Sequence, residues 1–279
     1  MVKTCDLHTH SVYSDGTYTP TELIDEAVRI GLSAIALTDH NTFGGIKEFF
    51  GAAEGKDIEA IAGTEISVSY GGRELHLLGL FVPEESFGRV DAFLVDVNRA
   101  KDERHMELVE SLREAGIDIY YEEILKRSPV GQINRAHIAA EMTDKGYVGS
   151  IKEAFDRYLL SSCGYYNDPP LPDFFSALDF IRSVGAVPVL AHPLLNLSED
   201  ELGELLPLAR EAGLVGMECI YSTYNEHRTQ LSLELARKNG ICVSGGSDFH
   251  GAHKPDISLG TGRGELCVPY ELVAKLRSK

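Results

Sequence analysis

The chain of 279 residues lacks any run of about eighteen apolar residues, the length that a membrane-spanning helix needs. Its N-terminus also lacks a basic region followed by an apolar stretch, so no secretory signal is predicted. Paired C-x-x-C cysteines are absent, and the five cysteines are scattered along the chain: Cys5, Cys163, Cys219, Cys242 and Cys267. Scattered cysteines in an odd number indicate free thiols in a reducing cytoplasm rather than a disulfide framework.

Positive charge is scarce, because 26 Lys and Arg stand against 43 Asp and Glu, which gives a formal net charge of -17. Proteins that coat nucleic acid rely on arrays of Lys and Arg, so we predict no stable nucleic-acid complex. A phosphorylated substrate is still allowed, since bound metal ions reverse the local charge inside an acidic protein. The P-loop and dinucleotide-binding glycine patterns are absent, as is a serine–histidine–acid arrangement.

Apolar strands and amphipathic helices alternate along most of the chain. The first helix has Thr19 as its N-cap, Pro20 in its first turn and Gly31 as its C-terminal stop. Predicted strands follow in SAIALTDH, IEAIAGTE, VPVLAHP, LVGMECI and ICVSGGSDFH, with helices around 173–184, 199–212 and 225–239 between the later ones. This alternation predicts an α/β fold with a parallel sheet, and the number of units favours a barrel.

The segment 97–166 interrupts this alternation, because it contains no convincing strand. It reads as consecutive helices in DVNRAKDERHMELVESLREAG, YYEEILKR, NRAHIAAEMTDKG and SIKEAFDRYLL. We therefore predict a small all-helical insertion domain at 97–166, within a barrel formed by 1–96 and 167–279.

Metal-ligand residue types gather at the predicted strand ends. His8 and His10 are two residues apart, so on an extended strand they project from the same face. Seven more residues occupy comparable positions, six of them at or just after strand ends and His76 within the extended segment RELHLLGL: Asp15, His40, Glu65, His76, His192, Asp248 and His250. In a parallel barrel these ends form the rim where active sites lie. Imidazole and carboxylate together, without thiolate, suit Mn, Fe or Zn.

Five short motifs in this order resemble the PHP (polymerase and histidinol phosphatase) family. They are His8-Thr9-His10, Ser14-Asp15-Gly16, Thr38-Asp39-His40, Ala191-His192-Pro193 and Gly246-Ser247-Asp248-Phe249-His250. The resemblance implies a distorted (β/α)7 barrel that holds two or three divalent metal ions and hydrolyses phosphate esters.

The resemblance also implies how the nine ligands divide among the ions. The first ion takes His8, His10, Glu65 and Asp248; the second takes Asp15, His40 and His250; and the third takes Glu65, as a bridge, with His76 and His192. A pair of such ions activates a shared water, so the expected nucleophile is a metal-bridging hydroxide.

The insertion carries Asn134-Arg135-Ala136-His137 where nucleotide-directed members of the family carry G-R-P-H. Arg135 and His137 are therefore expected to bind the substrate phosphate and to bring the insertion into the substrate pocket. Arg228 is a weaker candidate for the same role, with an ion pair to Glu226 as the alternative. We assign catalytic roles to His137, His192 and Asp248. The motif Thr38-Asp39-His40 is followed by Asn41, where the family often has Asp.

Several other polar or aromatic residues are not assigned to the metal site. Tyr221, Tyr224 and Asn225 either cradle a base or sugar or contribute to packing. His105 lies in the most charged helix and is expected to be solvated, His253 is expected in a loop, and Asp39 is expected to support a ligand or a turn.

The leading hypothesis is a metal-dependent phosphoesterase that hydrolyses monoesters, or a cyclic phosphodiester, of a small nucleotide or ribose phosphate. The alternatives are a histidinol-phosphate phosphatase, an exonuclease acting on short oligonucleotides, and a metal-stabilised binding module without turnover. The oligomeric state is not indicated by the sequence.

Overall fold

The computed structural model describes residues 3–127, 133–167 and 170–279. Seven strands form one sheet in sequential order: β1 (Cys5–Asp6), β2 (Ala34–Leu37), β3 (Glu59–Tyr70), β4 (Arg73–Leu80), β5 (Val187–Leu190), β6 (Gly216–Tyr221) and β7 (Cys242–Gly246). The residues after β1 lie beside β7 and the residues that follow it. The Leu7 amide donates to the Gly245 carbonyl at 3.3 Å, and the Asp248 amide donates to the His8 carbonyl at 2.9 Å. The sheet therefore nearly closes into the predicted seven-stranded barrel.

The helices of the barrel are α1 (Pro20–Ile30), α2 (Ile46–Ala53), α7 (Phe174–Ser183), α8 (Glu199–Ala212), α9 (Glu226–Asn239) and α10 (Glu271–Arg277). The N-cap and C-terminal stop predicted for α1 are present: Thr19 exchanges hydrogen bonds with Glu22 in a capping box, and Gly31 ends the helix in the left-handed conformation. The core between sheet and helices is apolar and built from side chains such as Leu23, Ile35 and Phe49.

The parallel sheet predicted from the alternation is wrong at one strand. β4 pairs antiparallel with both β3 and β5, whereas the other neighbouring strands are parallel. The cause is the two-residue connection Gly71–Gly72, in which both residues have positive φ and reverse the chain as a hairpin. β3 also continues to Tyr70, so Glu65 lies inside this strand and not at its end as predicted.

The chain divides into two compact units. The barrel unit consists of Met1–Leu94 together with Leu171–Lys279, and the second, helical unit consists of Val95–Pro170. The second unit contains most of α3 (Phe87–Glu114) together with α4 (Tyr121–Leu125), α5 (Arg135–Asp144) and α6 (Ile151–Ala154), and it has no strand among its described residues. α3 begins ten residues before the predicted insertion and crosses the boundary between the units. The second unit has its own apolar core, which includes Leu108, Leu112 and Ile138.

The expectation that His105 is solvated is wrong. His105 is only 1% exposed, and its ring stacks on that of Tyr166 with centroids 6.1 Å apart. It shares the buried face of α3 with Leu108, Val109 and Leu112, because residues three and four apart lie on one side of a helix. Burial lowers the pKa of His105 to about 3, so the ring is neutral near pH 7.

All five cysteines are free. Among the described residues, no helix combines the length and apolarity that crossing a membrane requires.

Candidate metal centre

All nine predicted ligands come together in the barrel unit. His8 and His10 follow β1, Asp15 and His40 lie in the loops after β1 and β2, and Glu65 and His76 project from the paired strands β3 and β4. His192 follows β5, and Asp248 and His250 follow β7. Every member lies within 3.8 Å of another member, measured between side-chain nitrogen and oxygen atoms.

Glu65 lies at the centre of the cluster and is fully buried. Its Oε1 atom lies 2.8 Å from His76 Nδ1 and 3.0 Å from His192 Nε2. Its Oε2 atom lies 3.1 to 3.2 Å from one nitrogen each of His8, His10 and His40, yet it has no hydrogen-bond partner. Burying a carboxylate oxygen without a hydrogen-bond partner costs free energy. Together with the three ring nitrogens around it, this oxygen forms a set of donor atoms that suits a shared cation.

The two histidines of the N-terminal motif face each other. His8 Nε2 and His10 Nε2 are 3.0 Å apart, which confirms that both rings project to the same side. Asp248 Oδ1 lies 3.6 Å from His8 Nε2 and 3.2 Å from His10 Nε2. These three residues and Glu65 are the set predicted for the first ion.

Asp15 is the centre of a second group. Its carboxylate lies 3.2 Å from His250 Nε2, 3.6 Å from His10 Nδ1 and 3.8 Å from His40 Nε2. One ligand atom from each of these four residues lies within 4.8 Å of the others. The second group thus contains the three predicted members and, in addition, His10.

The third group differs from the predicted grouping in one member. Ligand atoms of His40, Glu65 and His76 lie within 4.8 Å of one another. His192 joins through its contact with Glu65 Oε1. His40, His76 and Asp15 are 20%, 18% and 34% exposed at the side chain, whereas Glu65, His8 and His10 are 0% exposed. The second and third groups therefore face solvent, and the first is enclosed.

The family model for the PHP domain matches residues 6–162. This chain belongs to the PHP family. A 5'-3' exoribonuclease of Haemophilus influenzae is 33% identical over 251 residues, which cover 90% of this chain and 91% of that protein. A 3',5'-nucleoside bisphosphate phosphatase of Chromobacterium violaceum is 31% identical over 248 residues, 88% of this chain and 86% of that protein.

A crystal structure from Bifidobacterium adolescentis, assigned as a metal-dependent phosphoesterase, superimposes with a TM-score of 0.84. It is 27% identical, and the match covers 98% of this chain and 95% of that one. The chain is therefore a metal-dependent phosphoesterase of the PHP family, and its buried histidine and carboxylate clusters fit the metal sites of such enzymes.

The electrostatics of the PHP centre are dominated by its carboxylates. Burial opposes ionisation of Glu65, but the adjacent rings of His8 and His76, whose own pKa values are raised, hold its pKa well below the usual range. The same balance keeps the pKa of Asp15 and of Asp248 low. In return, despite burial, the carboxylates raise the pKa of His10 to about 9 and that of His76 to about 10.

Two predicted ligands have strained backbones. His192 has φ 26° and Asp248 has φ 56°, a region that residues other than glycine rarely adopt. The approach of β7 to the N-terminal segment is equally tight, since a Cβ atom at Gly246 would lie 2.4 Å from His8 Cβ. Gly246 therefore permits the closure that brings Asp248 and His250 next to His8 and His10.

Asp39 has the supporting role that was expected. Its carboxylate accepts hydrogen bonds from the Ser11 amide and hydroxyl, at 2.7 and 2.6 Å, and from the Ser14 hydroxyl at 2.7 Å. These contacts fix the loop that carries Asp15. Asn41 has φ 50° and accepts from the Ser67 amide, so the departure from the family pattern is accommodated within the loop after β2.

Sequence reasoning missed several side chains that contact predicted ligands, among them Glu218, Lys254 and Glu74, whose Oε1 lies 3.4 Å from His76 Nε2. Glu218, fully buried on β6, lies 3.0 Å from His8 Nδ1 and accepts from the His192 amide at 2.8 Å. Lys254 Nζ donates to Asp248 Oδ2 at 2.7 Å. A signal for Glu218 was present, since it is the one acidic residue in the apolar strand LVGMECI.

The remaining barrel candidates lie at the same end. Tyr221 donates its hydroxyl to Asp248 Oδ2 at 2.6 Å, and the Tyr224 hydroxyl accepts from the Leu194 amide at 2.8 Å. Asn225 caps α9, and Arg228 is exposed in its first turn, with no ion pair to Glu226 in the described part of the chain. His253 lies in a short 3-10 turn and contacts the Asp15 carbonyl at 2.7 Å.

Arg135 and His137 lie in the first turn of α5 in the helical unit. Asn134 caps this turn, exchanging hydrogen bonds with the His137 amide and ring. The Arg135 guanidinium donates to the Leu159 carbonyl at 3.1 Å and stacks over Tyr166 at 4.6 Å from the ring centroid. Arg135 is thus half-buried and held by its own unit rather than freely solvated.

Proposed function

We propose that this PHP phosphoesterase removes a phosphate group from 3',5'-nucleoside bisphosphates. The observation that carries the proposal is the solvent-facing part of the nine-residue cluster, where the side chains of Asp15, His40 and His76 are partly exposed. The substrate class is supported by the C. violaceum relative, which is a 3',5'-nucleoside bisphosphate phosphatase.

A cavity lies in the same unit as the cluster, although none of the nine ligands lines it. Its volume is about 780 Å³, within the range of about 300–1,000 Å³ typical of small-molecule sites. Tyr221, Tyr224 and Asn225 line it, together with Thr229 and Arg263. Tyr221 lines this cavity and also donates its hydroxyl to Asp248, which links the cavity wall to one of the predicted ligands.

The ions themselves are proposed to be two or three of Mn, Fe or Zn, held by the nine residues in the groups described above. Divalent ions held there supply an activated water and neutralise charge on the phosphoryl oxygens. Within the chain, Glu65 holds the groups together, while Arg135 and His137 are proposed to bind substrate phosphate. Metal analysis of active protein is expected to find two to three ions per chain, and less than one would contradict the assignment.

A second candidate substrate is a short oligoribonucleotide with a 5'-phosphate. The H. influenzae relative, a 5'-3' exoribonuclease, favours it. The net charge of -17 restricts such a substrate to short contacts near the centre.

Phosphate and nucleotide release from a substrate panel, with added Mn²⁺, tests the proposal. The panel contains a 3',5'-nucleoside bisphosphate, a mononucleotide, a cyclic nucleotide, histidinol phosphate and a 5'-phosphorylated trinucleotide. We expect kcat/KM for the bisphosphate to exceed that for histidinol phosphate by at least about tenfold, since binding of the nucleoside and second phosphate adds transition-state contacts. A higher value for histidinol phosphate would overturn the substrate class, and a higher value for the trinucleotide would favour the second candidate.

A further inference from the structure

β6 contributes none of the nine predicted ligands, yet it contacts three of them. Glu218 Oε1 lies 3.0 Å from His8 Nδ1, and Glu218 Oε2 accepts from the His192 amide at 2.8 Å. Three residues further on, the Tyr221 hydroxyl donates to Asp248 Oδ2 at 2.6 Å. These ligands come from three different strand ends, so one strand connects separate parts of the centre.

An irregularity in β6 makes this possible. Residues three apart on a regular strand point to opposite faces of the sheet. In this barrel Glu218 pairs with Ser244 and Tyr221 pairs with Gly246, so one extra residue on β6 is accommodated between them. Ser244 and Gly246 are two apart on β7 and share a face. The bulge therefore turns Tyr221 to the side that Glu218 faces.

The contact with Glu218 determines which nitrogen of His8 is available to an ion. A hydrogen bond from Nδ1–H to the carboxylate leaves Nε2 as the electron-pair donor, and Nε2 is the atom that lies 3.1 Å from Glu65. The second oxygen of Glu218 fixes the backbone of His192 at its strained φ of 26°. Glu218 is fully buried, so water does not compete for either bond.

The contact with Tyr221 acts on Asp248 in a similar way. Tyr221 and Lys254 occupy Oδ2 at 2.6 and 2.7 Å. Oδ1 is thereby turned to His10 and His250, at 3.2 and 3.4 Å. Asp248 presents one defined oxygen to the centre.

We infer that Glu218 and Tyr221, aligned by the bulge in β6, are positioning residues that set the metal affinity of the centre. The inference rests on the nine-residue ligand set but not on the identity of the substrate. Partners of this kind change metal affinity by about 10- to 100-fold when they are removed, because the ligand is then free to adopt other orientations or tautomers.

The test measures Co²⁺ affinity of the metal-depleted full-length chain by visible absorption, without any substrate. We expect Glu218→Gln to weaken affinity by about 10- to 100-fold, because one of its two acceptor oxygens becomes a donor. Tyr221→Phe is expected to weaken it by about tenfold, since Lys254 still holds Oδ2. Glu141→Gln and Tyr147→Phe are matched controls in the helical unit, where Glu141 is buried against Arg127 and the Tyr147 hydroxyl accepts from the Asp118 amide. Both controls should bind Co²⁺ like the parent.

Thermal unfolding of the metal-free proteins separates positioning from packing. Weaker Co²⁺ binding with a metal-free Tm near that of the parent supports the inference. A lower metal-free Tm with parental affinity means that Glu218 only packs, which overturns it, as does parental affinity in both variants. If Glu218→Gln does not fold, Tyr221→Phe decides alone. Failure of the parent to bind Co²⁺ would instead contradict the ligand set on which the proposed function rests.

Discussion

At the scale of single residues, the centre depends most on Glu65. Its two oxygens contact five imidazoles, two on Oε1 and three on Oε2. The bridging role was inferred from family resemblance, and residue spacing alone offered no route to it. The position of Glu65 inside β3 depends on the hairpin with β4, which also carries His76.

Glu65→Gln removes the negative charge that the groups of ligands share. We expect metal occupancy and turnover to fall together, each by at least about tenfold, because a neutral amide offsets less of the ions' charge and offers only one acceptor oxygen. Elemental analysis and phosphate release measure the two quantities on the same preparation.

The control for this substitution must be a histidine away from the centre. His105 is unsuitable, since it is buried in the core of the helical unit and its truncation would leave a cavity. His227, exposed on α9, is suitable. If His227→Ala and Glu65→Gln lose metal equally, the central role of Glu65 is refuted.

At the scale of elements, the sequence predicts which segments are strands but not the direction in which they pair. Periodicity located RELHLLGL as extended, and the structure has β4 over the same residues. Its antiparallel pairing depends on the two glycines before it, Gly71 and Gly72. This hairpin signal is only two residues long, whereas the alternation of strands and helices along the rest of the chain predicts parallel pairing. The bulge in β6 has no sequence signal, because it is visible only in the register with β7.

The helix α3 has a buried face that its many charged residues conceal in the sequence. The charged residues of this helix suggested a solvated element, but His105, Leu108, Val109 and Leu112 recur every three or four residues and form its buried stripe. A histidine within such a stripe is a core residue. The charged residues occupy the other faces, where Arg104 and Arg113 pair with Glu107 and Glu110.

The first turn of α5 provides the test of the helical unit. If Arg135 binds a substrate phosphate, Arg135→Ala loses a charge-assisted contact worth about 1.5–3 kcal/mol, or about tenfold to a hundredfold in kcat/KM. Arg135→Lys should recover only part of this loss, because an ammonium group lacks the planar pair of donors. Metal content should stay at the parental value in both variants. Steady-state kinetics on the best substrate of the panel provide the measurement.

Arg135 also stacks on Tyr166, so a loss of folding stability must be separated from a loss of binding. Arg113 is a matched control, since it lies in the same unit, pairs with Glu110 and stacks over Tyr120 at 4.5 Å from the ring centroid. Arg113→Ala should leave kcat/KM at the parental value. Equal kinetics for Arg135→Ala and the parent would leave the helical unit without a role in substrate binding, and the metal centre would be unaffected.

At the scale of the whole molecule, an acidic protein must still attract a phosphorylated substrate. Bound metal ions are predicted to reverse the local charge, and three divalent ions would outweigh the negative charges of Asp15, Glu65 and Asp248. The structure adds two buried carboxylates, those of Glu218 and Asp39, and one ammonium group, that of Lys254, beside the same ligands. The net positive charge of the metal-loaded centre is therefore smaller than expected. Binding of a phosphate then depends more strongly on full occupancy of the centre by metal ions.

The same charge balance predicts how metal binding depends on pH. In the metal-free centre the carboxylates are ionised and hold the pKa of His10 at about 9 and that of His76 at about 10, while His8 is also raised well above its usual value. The raised pKa values favour the protonated form of these rings at pH 7, although each ring must be neutral to coordinate an ion. His40, with a pKa lowered to about 3 mainly by burial, has no proton to lose at that pH.

Binding of ions should thus release protons, and affinity should rise with pH. For each proton released, affinity increases by about tenfold per pH unit until the pH passes the raised pKa values near 9 to 10. Calorimetric titration of the metal-free chain with Mn²⁺ at pH 7, in two buffers of different ionisation enthalpy, counts the protons directly. We expect between one and three per chain. Titrations at pH 6 and 8 should differ in affinity by at least about a hundredfold if one proton is released. An affinity that is the same at both values would mean that the imidazoles are already neutral in the metal-free centre, and that the carboxylates do not hold the protons that metal ions must displace.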